Sequence, residues 1–378
     1  NMPAILGGIP LSSKRLEIVR PSFPNLSQFE ERFSASLKAG SVTNNSPAVV
    51  EFERQVAEYT GCNALVMNNG QSALMIMLRA VGITSGEVIV PSYTFSATPH
   101  ASMIKSLGMA GFGQDSWQKI TCNNNSEAMD VNDLAKALLN SQSTSNIVIA
   151  SAATVTGTDY DDLVKIAQLC KKHNAWLHVD AAFGIFERLL AGEKGKTQGI
   201  ELADSITLDC HKWLNVPYGC GVFLTQHQDL LKNSCHVDAP YLASDSEDIA
   251  FMSLGIENSR RFRAFPVWAT LMSYGKDGIK NQIQRNVAQA KKLAKWIHES
   301  PDYIIVKPCE LNVVLFKPNE ENLGLTSQKC MDKLNKSGQV FLTPGSWQGE
   351  PIIRAALSNW STTDDDINLV IKTLNEIV

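Results

Sequence analysis

Two stretches of sequence decide the fold: AWLHVDAAFG at residues 175–184 and ADSITLDCHKWLNVPYGCG at residues 203–221. The first is an apolar run that ends in Asp180 and two small residues, and the second places His211 and Lys212 just past another apolar run. Short apolar runs of this kind are typical of strands that are buried in a parallel sheet. We therefore predict strands at 175–181 and 205–209, with polar groups at or just beyond their carboxyl ends.

Helices and strands alternate on both sides of these stretches, a pattern that predicts βαβ units and a mostly parallel sheet. Helices are predicted at 47–59, at 71–81 and around Leu163, and further strands at 87–91, 146–152 and 221–225. The predicted fold class is therefore α/β.

The chain is long enough for more than one domain, because 378 residues exceed the usual size of a single hydrophobic core. We predict an N-terminal arm at 1–45, a large domain at 46–260, a bridging helix at 261–300 that breaks near Gly275 or Gly278, and a small α+β domain at 301–378. In the small domain, strands are predicted at 303–307, at 312–317 and around Val340 and Ile352, a helix at 327–336, and a last helix capped by Thr362 or Thr363.

Composition and charge argue against several classes of function. Apolar residues make up 44% of the chain and charged residues 19%, as in soluble globular proteins, and the formal net charge is -4. The sequence shows no basic block interleaved with aromatics, no apolar run of bilayer length and no leader pattern, so we expect no nucleic-acid partner, no membrane and a cytoplasmic location. The eight cysteines form no CxxC pair and no Cys/His ligand spacing, which argues against a metal site and a disulfide framework.

Asp180 is the first candidate for chemistry. A carboxylate at the end of a buried strand needs a cationic partner, because an unpaired buried charge is costly. A protonated pyridine nitrogen is such a partner, and Ala182 would let a flat ring lie against the backbone. The alternative is that Asp180 only caps the turn that follows it.

His211 and Lys212 are the second candidates. A lysine held near a cationic ring and a neighbouring histidine tends to lose its proton, which makes its amine nucleophilic toward a carbonyl. An isolated His-Lys pair would be explained better as a solvated loop, but the strand that ends in Asp180 lies only 32 residues upstream. The preceding Cys210 has two interpretations: a thiol activated by these cations, or a small buried residue at the end of a strand.

The turn NNGQSA at 68–73 is the third candidate. It opens a predicted helix, and the free N–H groups of a helix N-terminus favour a bound phosphate. Gly70, Gln71 and Ser72 would contact that phosphate, unless the turn is an ordinary helix start.

The stretches HVDAAFG (178–184), 203–221 and NSRRFRAFPVWATL (258–271) resemble the group II pyridoxal-dependent amino-acid decarboxylases. The resemblance implies the aspartate-aminotransferase-like fold, fold type I of the pyridoxal-phosphate enzymes, with pyridoxal 5'-phosphate as cofactor and a homodimer as the assembly. In that family the strand Asp binds the pyridine nitrogen and the Lys after His forms the Schiff base, which places these roles on Asp180 and Lys212. It also implies that His211 packs beside the cofactor and that Thr154 lies near the ring hydroxyl.

The first third of the chain resembles a second family. VTNNSPAVVEFERQVAEYTG (42–61), NNGQSALMIMLRAVG (68–82) and VIVPSYTFSATPHA (88–101) are similar to DegT-like sugar aminotransferases. Their ring-stacking aromatic would fall on Phe95, whereas the decarboxylases stack a histidine, for which His100 is a partial match. Both families share one fold, so the cofactor does not depend on this choice.

These resemblances leave the reaction open. Our preferred prediction is decarboxylation of an α-amino acid through a Schiff base on Lys212, a lyase reaction. The alternatives are transamination of a keto-sugar or keto acid, and oxidative decarboxylation that forms an aldehyde. An inactive binding protein on the same fold is disfavoured because Lys212, Asp180 and His211 are all present. Arg354 either clamps a substrate carboxylate or forms a structural salt bridge.

The segment 245–263 resembles a mobile loop that carries, in the decarboxylases, the Tyr that protonates the substrate carbon. An ungapped count back from Arg260 places that Tyr on Phe251, whose phenyl ring cannot donate a proton. Protonation would then fall to His211 or Tyr241, or the site would react with oxygen. This count favours the aldehyde-forming alternative.

Overall fold

The computed structural model describes residues 26–39, 46–67, 70–81, 87–91, 101–113, 117–143, 145–236, 253–257 and 261–377. These residues form two compact units, a larger one within 21–154 and 159–280 and a smaller one that joins 155–158 to 281–377. Each unit has its own sheet and its own hydrophobic core. The domain limits expected at residues 45, 260 and 300 stay a prediction, because contacts do not test whether a segment folds alone.

The larger unit contains helices and strands that alternate along the chain. Its helices are α1 Leu26–Lys38, α2 Pro47–Thr60, α3 Gly70–Ala80, α4 Ala101–Ala110, α5 Val131–Asn140, α6 Leu163–Lys172, α7 Arg188–Ala191 and α8 Gln228–Cys235. Its strands are β1 Asn63–Met67, β2 Glu87–Pro91, β3 Trp117–Ile120, β4 Asn146–Ser151, β5 Ala175–Asp180, β6 Ser205–Asp209 and β7 Gly221–Thr225. Short 3-10 turns lie at Gly184–Glu187, Gly192–Lys194 and Ile200–Leu202.

The seven strands form one sheet in the order β1-β7-β6-β5-β4-β2-β3. Strands β2 to β6 run parallel, whereas β7 runs antiparallel to both β1 and β6. Every residue of β4 and β7 is buried, as expected for a sheet covered on both faces. This topology brings the carboxyl ends of β1, β4, β5 and β6 to one side of the sheet, which we call the carboxyl edge.

Helix α3 is packed against one face of this sheet. Its residues Ile76 and Met77 share a buried cluster with side chains of several strands, namely Leu65, Met67, Ile147, Ile149 and Phe223. Because α3 begins three residues after β1 ends, its N-terminus belongs to the carboxyl edge.

Local capping signals set the limits of the helices beside the carboxyl edge. Asp130 accepts the Asn132 N–H at the start of α5, and Asp162 accepts the Lys165 N–H at the start of α6. Helix α2 begins at Pro47 and ends at Gly61, whose left-handed φ of 70° suits glycine. Each cap was readable as a residue type in the sequence.

The smaller unit is α+β. Its strands are β8 Tyr303–Ile305, β9 Val313–Pro318, β10 Thr343–Trp347 and β11 Glu350–Ala356, in the antiparallel order β10-β11-β9-β8. After the long helix α9, Ala264–Glu299, come the helices α10 Glu320–Leu323, α11 Ser327–Lys336 and α12 Asp364–Glu376. Thr363 and Asp366 form the capping box of α12, so Thr363 is the cap among the two predicted.

The strand predicted around Val340 begins instead at Thr343. The reason lies in Asn335, whose side chain accepts the Leu342 N–H at 2.9 Å and donates to the Leu342 carbonyl at 3.0 Å. These bonds occupy both backbone groups that a strand would give to its neighbour, so the ladder starts after them.

Helix α9 spans Ala264–Glu299 and breaks at Gly275, whose φ of 59° is left-handed. The break was predicted near this glycine, because glycine adopts this conformation without a steric penalty. None of the helices in the described part of the chain combines the length and the apolar character needed to cross a bilayer.

Candidate active site

The ends of three neighbouring strands are tied together at the carboxyl edge. The Ala152 N–H, just past β4, donates to the Asp180 carbonyl at 2.8 Å, and the Ala181 N–H donates to the Thr207 carbonyl at 2.9 Å. The Asp209 N–H, at the end of β6, donates to the Ala182 carbonyl at 3.0 Å. The polar residues that follow β5 and β6 therefore emerge side by side.

Asp180 is half-buried at the end of β5. Its Oδ1 accepts the Ala182 N–H at 3.1 Å, so the carboxylate does cap the turn that follows it. This bond uses one lone pair of one oxygen, and a carboxylate offers about four. Capping and binding of a cation are therefore compatible at Asp180.

Lys212 is paired with Asp209. The Lys212 Nζ lies 3.1 Å from the Asp209 Oδ2, and the two side chains are only 30% and 18% exposed. The same ammonium lies 5.4 Å from the centroid of the Phe183 ring. A carboxylate on one side and an aromatic face on another thus hold the amine in place.

His211 lies near the same oxygen of the Asp209 carboxylate. Its Nε2 is 3.9 Å from the Asp209 Oδ2, and its ring lies 4.8 Å from the ring of Tyr218 at a tilt of 39°. Burial lowers the pKa of His211. Burial therefore favours the uncharged imidazole, in which one nitrogen donates and the other accepts.

A buried histidine, His178, lies two residues before Asp180 and on the same face of β5. His178 Nδ1 lies 2.8 Å from the Ser205 Oγ, and its Nε2 lies 3.3 Å from the Thr207 Oγ1. Ser205 also accepts the indole N–H of Trp176 at 2.9 Å. Burial lowers the pKa of His178 to about 3, so the neutral ring exchanges hydrogen bonds with hydroxyls of β6. His178 thus ties β5 to β6 two residues before Asp180.

Thr154 follows β4 and is engaged within the protein. Its hydroxyl donates to the buried Glu127 carboxylate and accepts the Asp159 N–H at 3.0 Å. The Asp159 carboxylate in turn accepts the Glu127 N–H at 2.8 Å. Only 2% of Thr154 is exposed, so any contact with a cofactor would use its one remaining lone pair. Its predicted place near a ring hydroxyl stays a prediction.

Gly184 allows the turn after Asp180 to approach the loop after β4. A Cβ at this position would lie 2.1 Å from the Ala152 oxygen and 2.5 Å from the Ala153 Cβ. The Tyr160 hydroxyl donates to the Gly184 carbonyl at 3.0 Å, which holds the same contact from the other side. Any side chain at Gly184 would push the two loops apart.

Other predicted site residues take no part in the contacts described above. Gly70 and Gln71 begin α3, and Ser72 is buried in its first turn. Arg354 belongs to the smaller unit, where its Nε donates to the Val155 carbonyl at 2.9 Å. The residues Phe95, His100, Tyr241 and Phe251 lie outside the described residues.

Sequence reasoning missed three polar residues that the structure adds to this region. Asp209 ends an apolar run as Asp180 does, so the same rule would have found it. His178 shares the face of β5 with Asp180 by simple alternation. Glu127 carried no signal, because its partner Thr154 lies 27 residues further along the chain.

The interpretation of Cys210 as an activated thiol is wrong. The side chain is fully buried at the end of β6, and a hydrogen bond with the Cys220 thiol, together with burial, raises the pKa of Cys210. The alternative, a small buried residue at a strand end, is confirmed.

The chain is similar to known proteins over more than half of its length. Residues 90–319 match the pyridoxal-dependent decarboxylase conserved domain. Aromatic-L-amino-acid decarboxylase of Bacillus atrophaeus is 32% identical over 247 residues, 61% of this chain and 51% of that protein. Phenylacetaldehyde synthase of Arabidopsis thaliana is 23% identical over 313 residues, 79% of this chain and 64% of that protein. The chain thus spans about half the length of the first relative and under two thirds of the second.

The fold is similar to that of a solved plant protein. The crystal structure of Oryza sativa TDC with PLP and tryptamine superposes with a TM-score of 0.82 at 19% sequence identity, covering 94% of this chain and 81% of that one. At this identity the likeness concerns the fold alone. It confirms the predicted α/β architecture of fold type I.

Proposed function

Because the chain belongs to the pyridoxal-dependent decarboxylase family, we propose that it is an enzyme that binds pyridoxal 5'-phosphate through Lys212 and removes the carboxyl group of an α-amino acid as carbon dioxide. The observation that carries the proposal is an amine and a carboxylate, Lys212 and Asp180, that follow neighbouring strands at the carboxyl edge. The similarity to an aromatic-L-amino-acid decarboxylase favours an aromatic amino acid as the substrate class.

The groups at the carboxyl edge fit this cofactor chemically. Lys212 supplies the primary amine that condenses with an aldehyde, and Asp180 supplies the anion that a protonated ring nitrogen needs. Ala182 would present only a methyl group to a flat ring. The N–H groups of residues 70–72, at the start of α3, would hold the phosphate.

The chain's own residues have separate tasks in this proposal. Bound pyridoxal phosphate would supply an electron sink for the charge that remains on the α-carbon when carbon dioxide leaves. Asp180 would keep the proton on the ring nitrogen, Asp209 holds the Lys212 ammonium when the amine is free, and the neutral His211 packs beside Lys212 without adding charge.

The central test uses the purified protein with pyridoxal phosphate and a panel of amino acids that includes the aromatic ones. Carbon dioxide and amine are measured together with binding of the cofactor, followed by its absorbance and by borohydride reduction onto the protein. We expect Lys212→Ala to lose both the reducible cofactor and the products while it remains folded. Lys232→Ala, which changes an exposed lysine in α8, is the matched control and should behave as the wild type. Normal reductive labelling of Lys212→Ala would remove the central claim.

A second candidate function is aldehyde-forming oxidative decarboxylation. Two observations favour it: the similarity to phenylacetaldehyde synthase, and the ungapped count that places Phe251 where the decarboxylases carry a Tyr. The same assay, with aldehyde and hydrogen peroxide measured as well, separates the two reactions. If the count is correct, Phe251→Tyr shifts the products from aldehyde toward amine, because the phenol restores a proton donor. Identical product ratios in both proteins would show that residue 251 has no such role.

Transamination is the remaining alternative, and the DegT-like resemblance of the first third of the chain supports it. The side chain of either Phe95 or His100 would then be the ring that stacks on the cofactor. Adding 2-oxoglutarate or a keto-sugar to the assay tests this reaction, because a transaminase would convert the amino acid to its keto acid without releasing carbon dioxide. Arg354 as a carboxylate clamp and a cytoplasmic location are further parts of the proposal.

A further inference from the structure

Cys210 and Cys220 face each other across the ends of β6 and β7. The register pairs Asp209 with Gly221, and its continuation places Cys210 directly opposite Cys220. The Cys210 N–H donates to the Cys220 carbonyl at 3.4 Å, and the two thiols are hydrogen-bonded to each other. Both side chains are buried, with exposures of 0% and 2%.

This arrangement suits a disulfide. Facing residues of antiparallel strands have Cα atoms about 4.5 to 5.5 Å apart. Disulfides bridge Cα separations of about 4.4 to 6.8 Å. The two sulfurs can therefore be joined with little movement of the backbone.

We propose that Cys210 and Cys220 form a disulfide when the protein meets hydrogen peroxide, and that this bond restrains the loop that carries Lys212. One sulfur attacks a peroxide oxygen, so an S–O bond forms as the O–O bond breaks, leaving a sulfenic acid and a water molecule. The second sulfur then attacks the first, so the S–S bond forms as the S–O bond breaks and a second water leaves. Two thiols are oxidised, and one peroxide is reduced to two waters.

The disulfide would form outside the group of side chains that makes up the candidate site. If the alternation of side chains along β6 is continued by one residue, Cys210 lies on the opposite face from Asp209, so the disulfide would leave the Asp209 contact with Lys212 in place. The loop enclosed by the disulfide, residues 211–219, contains His211, Lys212 and Tyr218. Its ends would become covalently joined, which lowers the number of open conformations available to it.

The chemical state of the pair predicts how fast the reaction runs. The hydrogen bond with Cys220 and burial both raise the pKa of Cys210, so little thiolate is present at neutral pH. Because the thiolate is the reacting form and its fraction rises about tenfold per pH unit below the pKa, the disulfide should form slowly at pH 7 and up to about 100-fold faster at pH 9. Hydrogen peroxide is small enough to enter a buried site that larger oxidants do not reach.

The test is peptide mapping of the full chain after peroxide treatment in the native state. Trypsin cleaves after Lys212, so the disulfide would join peptide 197–212 to peptide 213–232. We expect this joined pair in the wild type and in Cys235→Ser, a control at a partly buried thiol of α8, and its absence from Cys210→Ser and from Cys220→Ser. Reduction should separate the two peptides again.

The second measurement is hydrogen exchange of the amides at 211–219. We expect several-fold slower exchange in the oxidised wild type than in the reduced protein, and no such change in Cys210→Ser treated in the same way. The proposal is overturned if the two peptides join only after denaturation, if either cysteine pairs equally with other thiols, or if exchange in the loop is unaffected by the bond. These measurements need no cofactor, so their outcome is independent of the proposed enzymatic function.

Discussion

At the scale of single residues, the contact between Lys212 and Asp209 matters most to the proposed function, in which the Lys212 amine would have to reach the aldehyde carbon of the cofactor. The carboxylate lies 3.1 Å from the Nζ, and the aromatic face of Phe183 shields another side of the ammonium. Long lysine side chains have many rotamers, and an ion pair with limited exposure selects among them. We therefore propose that Asp209 positions Lys212.

Removing the charge of Asp209 should slow the reaction without unfolding the protein. Asp209→Asn keeps the size of the side chain and loses the ion pair, so we expect turnover to fall by about 10- to 100-fold, the range that a misplaced reacting group can cost. The rate at which borohydride traps pyridoxal phosphate on Lys212 should fall as well. Asp229→Asn, an exposed carboxylate of α8, is the control for the change in net charge.

Asp209→Glu completes this comparison. The longer carboxylate can still reach the ammonium, so it should recover part of the lost trapping rate. If Asp209→Asn traps the cofactor and turns over as fast as the wild type, Asp209 has no positioning role.

At the scale of elements, the sequence was most informative where a strand is a continuous apolar run. The strands predicted at 87–91, 205–209 and 221–225 have the observed limits. β1 was missed, because five residues between a helix and a turn show no usable periodicity. The antiparallel direction of β7 could not be predicted either, since hydropathy does not encode strand direction.

In the candidate site, the residues next to a strand end were predictable from the sequence. Glu127 was not, because its place depends on a contact between loops that are distant in the chain.

The link between β5 and β6 through His178 should make stability depend on pH. The folded protein holds His178 at a pKa of about 3, below the 6.5 of an unperturbed histidine, so its neutral form favours folding above pH 6.5 and this contribution is lost as the pH falls toward 3. Between pH 6.5 and 4.5 the loss amounts to about 2 kcal/mol. Burial raises the pKa of Asp161 to about 6, which acts in the opposite direction over part of this range.

A comparison of variants separates the two effects. We expect the free energy of unfolding of His178→Gln, measured by urea denaturation, to fall less between pH 6.5 and 4.5 than that of the wild type. His298→Gln, at an exposed histidine near the end of α9, should follow the wild type. A direct check is the ring NMR signal of His178, which should not titrate above pH 4.5. Titration of that signal near pH 6 would contradict the assignment.

At the scale of the whole molecule, the resemblance to the decarboxylases implies a homodimer, and we expect the active protein to sediment as two chains. The measurement is sedimentation velocity at the protein concentrations used in the activity assay. Full turnover by a species that sediments as one chain would contradict the expectation, and a dilution series in which turnover and dimer fraction fall together would support it.

The order of the strands in the larger sheet differs from their order in the chain, and this difference affects how the protein folds during its synthesis. Each of the strands β3 to β7 has at least one neighbour that is already made, and β2 gains its first neighbour, β3, about 30 residues later, whereas β1 pairs with β7, whose residues follow more than 150 positions later. β1 and α3 are synthesised early, and they can pack into the sheet only after the hairpin of β6 and β7 has been synthesised. During synthesis the stretch around Leu65 and Met67 is an apolar surface without its final cover, a state that exposes a nascent chain to aggregation and to chaperones. Synthesis of the hairpin that carries Lys212 thus also ends the exposure of this apolar surface, because β7 is the strand that pairs with β1.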